Sequence, residues 1–164
     1  MKKQIFTYKS QLSCSAEELY QWHAQPECFE LLTPDWANTT LLSQEGTIEE
    51  EGSRAHLKMK MGPIPRSWIA EHYDCIPNKQ FCDRQIVGPF SLWEHQHLFE
   101  ANDEGVVLHD RIHFVLPGWW FGQIFGGRFT KKKLLRLFEY RHHQTAQHLG
   151  ATMTHLGSSC EPES

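Results

Sequence analysis

The clearest repeating pattern in this chain is the two-residue alternation of apolar and polar side chains over residues 53–61. Ala55, Leu57 and Met59 fall on one face of this segment, and the side chains between them are charged or polar. Such an alternation predicts a strand with one buried and one solvated face, which is typical of antiparallel sheets. Similar patterns, separated by turn-forming residues, predict further strands from about residue 38 and at 3–11, 66–75, 80–87, 90–101 and 106–116.

Helical signals stand at both ends of this series of strands. Ser15 and Glu18 have the spacing of a capping box, which predicts the start of a helix. A second short helix is predicted from Pro26 to the Thr-Pro pair that ends at Pro34. Residues 123–149 carry apolar side chains at helical spacing, and they predict a final helix about 40 Å long.

The order of these elements predicts an α+β fold with a curved antiparallel sheet of about 6–7 strands and two short helices after the first strand. The strand at 106–116 would be about 35 Å long, so the long C-terminal helix can lie along the whole concave face. The gap between a curved sheet and a straight helix is a natural ligand site. Residues 1–156 are predicted to form a single domain, and residues 157–164 a disordered tail.

Composition narrows the classes of function. The net charge is −4 and no long run of Lys or Arg occurs, which argues against nucleic acid as a partner. The five cysteines include no C-x-x-C pair, and the first ten residues lack the apolar segment of a signal peptide, so we expect a cytoplasmic protein with reduced thiols. Phosphate-binding loops, dinucleotide fingerprints and G-x-S-x-G motifs are absent from the sequence.

One group of polar residues is predicted inside the sheet. Trp93, His95 and His97 share a face of their strand, and the aromatic side chains on that face indicate that it is buried. Asp110 interrupts an apolar row on the next strand, where an unpaired carboxylate would be costly. The two histidines are its nearest predicted partners. The sequence leaves three roles open: a structural hydrogen bond, a polar anchor for a ligand, or an acid–base pair.

The same histidine pair also has the spacing of a metal site, since alternate residues of a strand share a face. Gly88, His95, His97, Glu100 and Gly105 loosely resemble a first cupin motif, but the spacings differ and no second motif follows. The sequence therefore predicts no metal and no other cofactor. Two adjacent histidines of the final helix, at positions 142 and 143, are predicted on its solvated side.

An aromatic run, Trp119-Trp120-Phe121, stands just before the final helix, and Lys131, Lys132 and Lys133 follow within it. Two interpretations remain open. The rings can form a hydrophobic plug over the core. Alternatively, they can make transient contact with a membrane interface, with the lysines near anionic headgroups.

Several short motifs occur in an order that resembles the SRPBCC superfamily, which contains START-like proteins, plant pollen-allergen-like proteins and bacterial polyketide cyclase/dehydrases. The similarity extends over residues 3–150 and is strongest to the bacterial ligand-binding branch. The motifs are FELLTP at 29–34, WIAE at 68–71, FCDRQ at 81–85, GPF at 88–90, WEHQH at 93–97, Asp110, LPG at 116–118 and FEYR at 138–141. The resemblance implies a helix-grip fold and a cavity for a lipid, an isoprenoid or a polyketide. It implies no particular reaction, because this fold hosts several activities.

We therefore expect a carrier or sensor that binds a hydrophobic small molecule between the sheet and the C-terminal helix. The residues expected to contact the ligand are Trp68, Gln85, Trp93, His95, His97, Asp110, Phe114 and Phe138. One alternative is a cyclase- or dehydratase-type enzyme that uses His95, His97 or Asp110 as acid–base groups. Another is a lipid chaperone that docks on membranes. The sequence determines neither the ligand nor the oligomeric state.

Overall fold

A computed structural model of the chain describes residues 2–61, 64–117 and 122–163. Its strands and helices follow the predicted order closely. They are β1 (Gln4–Leu12), α1 (Ala16–His23), α2 (Cys28–Leu31), a 3-10 turn (Asp35–Ala37), β2 (Thr39–Glu45), β3 (Arg54–Met61), β4 (Ile64–Ile76), β5 (Gln80–Val87), β6 (Leu92–Asn102), β7 (Gly105–Val115), α3 (Gly122–Leu149) and β8 (Met153–Pro162).

The strands form one antiparallel sheet in the order β2-β3-β4-β5-β6-β7-β1-β8. Strands β2 to β7 are a meander, as the short turns between them predict. β1 then pairs with the far side of β7, with Gln4 opposite Phe114 and Leu12 opposite Val106. A curved sheet against one long C-terminal helix is the helix-grip arrangement, so the predicted fold class is confirmed.

The capping box predicts the start of α1 correctly. The Ser15 hydroxyl accepts a hydrogen bond from the Glu18 amide at 3.1 Å, and the Glu18 carboxylate accepts one from the Ser15 amide at 2.8 Å. Both bonds satisfy amides that a helix start leaves without a partner. Trp22, on the inner face of α1, is almost completely buried and stacks on His148 near the end of α3, with ring centroids 3.7 Å apart. The short helices thereby close one end of the sheet.

The C-terminal segment differs from the prediction. A disordered tail over 157–164 was expected, but Met153–Pro162 forms strand β8 and pairs antiparallel with β1. The Glu163 amide also donates to the Lys3 carbonyl at 2.9 Å. The segment carries little apolar alternation, so its sequence does not predict a strand. Backbone pairing with the edge of β1 holds it in place. β8 raises the number of strands in the described part of the chain to eight, against the 6–7 that the sequence predicts.

The long helix packs on the sheet through the predicted apolar stripe. Leu134 and Phe138 are buried against Phe6, Ile112 and Phe114. This contact fixes one side of α3 on β1 and β7, and leaves space between the helix and strands β3 to β6. Among the described residues, none of the helices has the length and apolar character needed to cross a membrane.

Candidate functional site

The space between the sheet and α3 is a cavity of about 340 Å³, which is within the size range of small-molecule sites. Its wall is mainly apolar. Trp68, Trp93 and Phe138, three of the residues expected to contact a ligand, line this cavity. Trp68 and Trp93 meet edge to face, with ring centroids 5.2 Å apart. Such rigid rings give the cavity a shape that is largely formed before any ligand enters.

Phe114 and Gln85 were also expected to contact a ligand, but neither residue lines the cavity. Phe114 is completely buried behind it, with its ring 6.1 Å from that of Phe90 and 6.2 Å from that of Trp93. The Gln85 amide is hydrogen-bonded to the backbone of Phe90, donating to its carbonyl at 2.8 Å and accepting from its amide at 3.2 Å. Both residues support the wall from outside the cavity.

The polar part of the wall is built by the register of three strands. His95 lies opposite Asp83 of β5 and His97 lies opposite Asp110 of β7. Opposite residues of antiparallel strands point to the same face, so all four side chains are directed toward α3. Asp83, His95 and His97 line the cavity, and Asp110 is buried just behind them.

Each imidazole of this group lies between two carboxylates. The Nδ1 atom of His95 is 3.3 Å from Asp83 Oδ2, and its Nε2 atom is 2.8 Å from Asp110 Oδ1. The Nε2 atom of His97 is 3.5 Å from Asp83 Oδ2, and its Nδ1 atom is 3.0 Å from Asp110 Oδ1. The centroids of the two rings are 3.8 Å apart, and Phe81 stacks on the other side of His97 at 4.0 Å. We refer to Asp83, His95, His97 and Asp110 as the His–Asp cluster.

The prediction that His142 faces solvent is wrong. Its ring is fully buried, with Nε2 2.7 Å from Asp110 Oδ2 and Nδ1 2.9 Å from the Ser10 hydroxyl. The physical reason is helical spacing: His142 lies four residues after the buried Phe138 and therefore on the same face of α3. His143, one position further, is exposed as predicted. Asp110 thus meets three imidazoles instead of the two that the sequence offers.

The charges of the cluster follow from its contacts. Burial alone would lower the pKa of His95, but Asp110 and Asp83 outweigh it and raise that pKa to about 9. Burial alone would raise the pKa of both carboxyl groups, but the imidazoles around them hold each pKa well below its usual range. Burial lowers the pKa of His142, which favours the neutral ring; in that form Nε2 donates to Asp110 and Nδ1 accepts from the Ser10 hydroxyl.

Other polar residues of the cavity wall lie outside the predicted set. Burial lowers the pKa of His23 to about 4, and the ring donates from Nδ1 to the Leu19 carbonyl at 2.8 Å. Arg141 reaches the cavity from α3, with its Nε donating to the Leu32 carbonyl at 3.2 Å. Asp83 was also missed, although alternation along β5 puts it on the same face as Phe81. The aromatic run Trp119-Trp120-Phe121 lies outside the described residues, so its contact with membranes stays a prediction.

Comparisons with known proteins agree with this architecture. A sequence model of the family described as "Polyketide cyclase / dehydrase and lipid transport" matches residues 12–153. A search of curated proteins finds no match. Among solved structures, the fold is similar to a nucleoside-diphosphate sugar epimerase from Corynebacterium glutamicum (21% identity, TM-score 0.67), where the match covers 88% of this chain and only 29% of the epimerase.

Two other similar structures are described as aromatase/cyclase proteins. One is the di-domain ARO/CYC StfQ of the steffimycin biosynthetic pathway, with 12% identity, a TM-score of 0.63, and coverage of 88% of this chain and 50% of StfQ. The other is the Zhui aromatase/cyclase of a Streptomyces species, with 13% identity, a TM-score of 0.57, and coverage of 88% and 91%. At these identities the likeness concerns the fold alone.

Proposed function

The chain belongs to the polyketide cyclase/dehydrase and lipid-transport family, and we propose that it binds a largely apolar small molecule between the sheet and α3, as a carrier or sensor. A lipid, an isoprenoid or a polyketide-like molecule has the required chemistry. The apolar body of the ligand would lie against Trp68, Trp93 and Leu134. A hydroxyl or carbonyl oxygen would face the His–Asp cluster.

The observation that carries this proposal is the combination of a mainly apolar cavity with the His–Asp cluster in its wall. Ionised carboxylates are expensive to remove from water unless partners or ligands compensate them. A purely structural role accounts poorly for Asp83. This carboxylate lines the cavity, and its contacts to His95 and His97 are long, at 3.3 and 3.5 Å. A polar ligand group beside Asp83 would help to compensate the charge of this carboxylate.

The proposal is tested by blocking the cavity. Ala70 lines the cavity from β4 and is buried, whereas Ala101 is exposed on β6. Native mass spectrometry of freshly purified protein and lipid extraction should detect bound ligand in the unmodified protein and in Ala101→Phe. Ala70→Phe should lose it, because the added ring occupies the ligand volume.

Two results would contradict binding in this cavity. One is the absence of extractable ligand from the unmodified protein together with no thermal shift against a panel of lipids and isoprenoids. The other is equal ligand occupancy in the two phenylalanine variants, which would move the ligand to a different surface.

A second candidate function, a cyclase- or dehydratase-type reaction, is favoured by one observation. Asp83, His95 and His97 reach the same cavity with ion-pair distances between them, an arrangement in which an imidazole can transfer a proton to or from a bound substrate. His97→Gln should then abolish turnover and leave ligand affinity nearly unchanged. If affinity falls together with turnover, His97 acts in binding.

A further inference from the structure

Asp83, His95 and His97 also offer a set of atoms that could ligate a metal ion. One nitrogen from each imidazole and one carboxylate oxygen all lie within 4.8 Å of one another. The three residues come from the paired strands β5 and β6, so the sheet holds them in register. Sites on regular strands are held more rigidly than sites on loops.

The distances in the His–Asp cluster are asymmetric. On the Asp110 side, His95 Nε2 makes a hydrogen bond of 2.8 Å, within the roughly 2.7–2.9 Å of charge-assisted hydrogen bonds, and His97 Nδ1 lies 3.0 Å from the same oxygen without a hydrogen bond. On the Asp83 side the nitrogen–oxygen distances are 3.3 and 3.5 Å, which is long for such bonds. Ligands about 2.0–2.1 Å from a tetrahedral zinc ion are about 3.3 Å from each other. The two nitrogen–oxygen distances on the Asp83 side therefore match the spacing of ligands around a shared cation, and the two nitrogens lie within 4.8 Å of each other.

The far nitrogen of His95 has the environment that metal-bound histidines usually show. A metal-bound imidazole commonly donates its other N–H to a carboxylate, which fixes the orientation of the ring. His95 Nε2 donates to Asp110 Oδ1 at 2.8 Å, whereas His97 Nδ1 lies 3.0 Å from the same oxygen without a hydrogen bond. Asp110 is itself held through Oδ2 by His142, whose other nitrogen contacts the Ser10 hydroxyl. A chain of buried hydrogen bonds thus supports the His95 ring from behind.

We propose that Asp83 Oδ2, His95 Nδ1 and His97 Nε2 bind a divalent first-row transition metal ion of the zinc class. Two imidazoles and one carboxylate are a ligand set that such ions accept, and three protein ligands leave a position for water or substrate. That position faces the cavity, because all three residues line it. The metal would coordinate an oxygen atom of the bound molecule, and this last step alone rests on the proposed function.

The test uses the full chain after treatment with a chelator. Calorimetric titration with Zn²⁺ should give one ion per chain for the unmodified protein and for His143→Gln, which removes an exposed histidine of α3. Asp83→Asn and His97→Gln should each bind at least about 100-fold more weakly, because each removes a direct ligand. Asp110→Asn should weaken binding about 10- to 100-fold, because it removes the carboxylate that orients the His95 ring.

Titration of the unmodified protein with Co²⁺ tests the site without any variant that could misfold. The expected visible spectrum is that of a low-symmetry site with nitrogen and oxygen ligands. A thiolate-to-cobalt charge-transfer band would overturn the proposal, since it would assign the ion to a cysteine. Absence of Zn²⁺ binding, or equal Zn²⁺ affinity in the unmodified protein, Asp83→Asn and His97→Gln, would also overturn it and leave the cluster as two imidazole–carboxylate pairs.

A fluorescent apolar probe, anilinonaphthalene sulfonate, separates failure of this inference from failure of the proposed function. If the metal-free protein binds the probe and Ala70→Phe abolishes that binding, the proposed hydrophobic cavity is supported whatever the metal titration shows. Stoichiometric metal binding without any uptake of probe or lipid would keep the metal site and refute the proposed function.

Discussion

The Phe138 side chain is the place where α3, the sheet and the cavity meet. It is 1% exposed, and its ring centroid lies 5.4 Å from that of Phe6 and 5.3 Å from that of His95. Truncation of a buried Phe to Ala typically reduces the free energy of unfolding by about 3–5 kcal/mol. One side of this ring already faces the cavity, so fewer contacts are lost than in a solid core. We therefore expect Phe138→Ala to lie near the lower limit, about 3 kcal/mol.

The assay is urea unfolding followed by circular dichroism, with the slope of the transition compared between variants. At constant slope, about 3 kcal/mol corresponds to a decrease in Tm of about 6–12 °C for a chain of this size. Phe129→Ala is the matched control, because that ring is 62% exposed and its loss should change the free energy of unfolding by less than about 0.5 kcal/mol. Equal effects of the two substitutions would refute the packing of α3 against the sheet described above.

Three other predictions follow from the structure and the sequence. In chelator-treated protein, Asp110→Ala should reduce the free energy of unfolding by about 3–5 kcal/mol, since it removes the shared partner of the buried imidazoles of His95 and His142. An effect below about 1 kcal/mol in urea unfolding would contradict that network. Two arginines hold the pKa of Glu71 below its usual value, so its contribution to stability is present above the unfolded pKa and is lost as pH falls through the folded one. Glu71→Gln should accordingly flatten the acid side of a plot of stability against pH, and an unchanged acid side would contradict this. If the aromatic run docks on membranes, replacing Trp119 and Trp120 by Ala should weaken binding to anionic liposomes in a flotation assay, and unchanged flotation would remove the membrane interpretation.

The sequence predicts the interior of the central strands well, because alternation there has a single physical cause. The inward face of β6 was predicted from Trp93, and the need of Asp110 for imidazole partners followed from the cost of a buried carboxylate. Those partners are His95 and His97, as expected. Such arguments work where one strand or one adjacent hairpin contains all the participants.

The missed residues depend on information from more distant parts of the chain. Asp83 joins the cluster only through the register between β5 and β6, which the turn between them sets and alternation alone does not. His142 was predictable from its spacing to Phe138, but its contact with Asp110 joins positions 32 residues apart. β8 carries little apolar pattern, and it forms because β1 offers unpaired backbone groups at the edge of the sheet.

The position of β1 in the sheet has a consequence for how the chain acquires its structure. Gln4 pairs with Phe114 on one side and with Pro162 on the other, so β1 waits for partners that are synthesised much later. Contacts between such distant segments slow folding, because the entropy of closing a long loop is lost before the pairing compensates it. The meander β2 to β7 can assemble from neighbouring hairpins during translation, and β1 then joins as a late step. We expect the nascent chain to depend on chaperones mainly through this unpaired first strand.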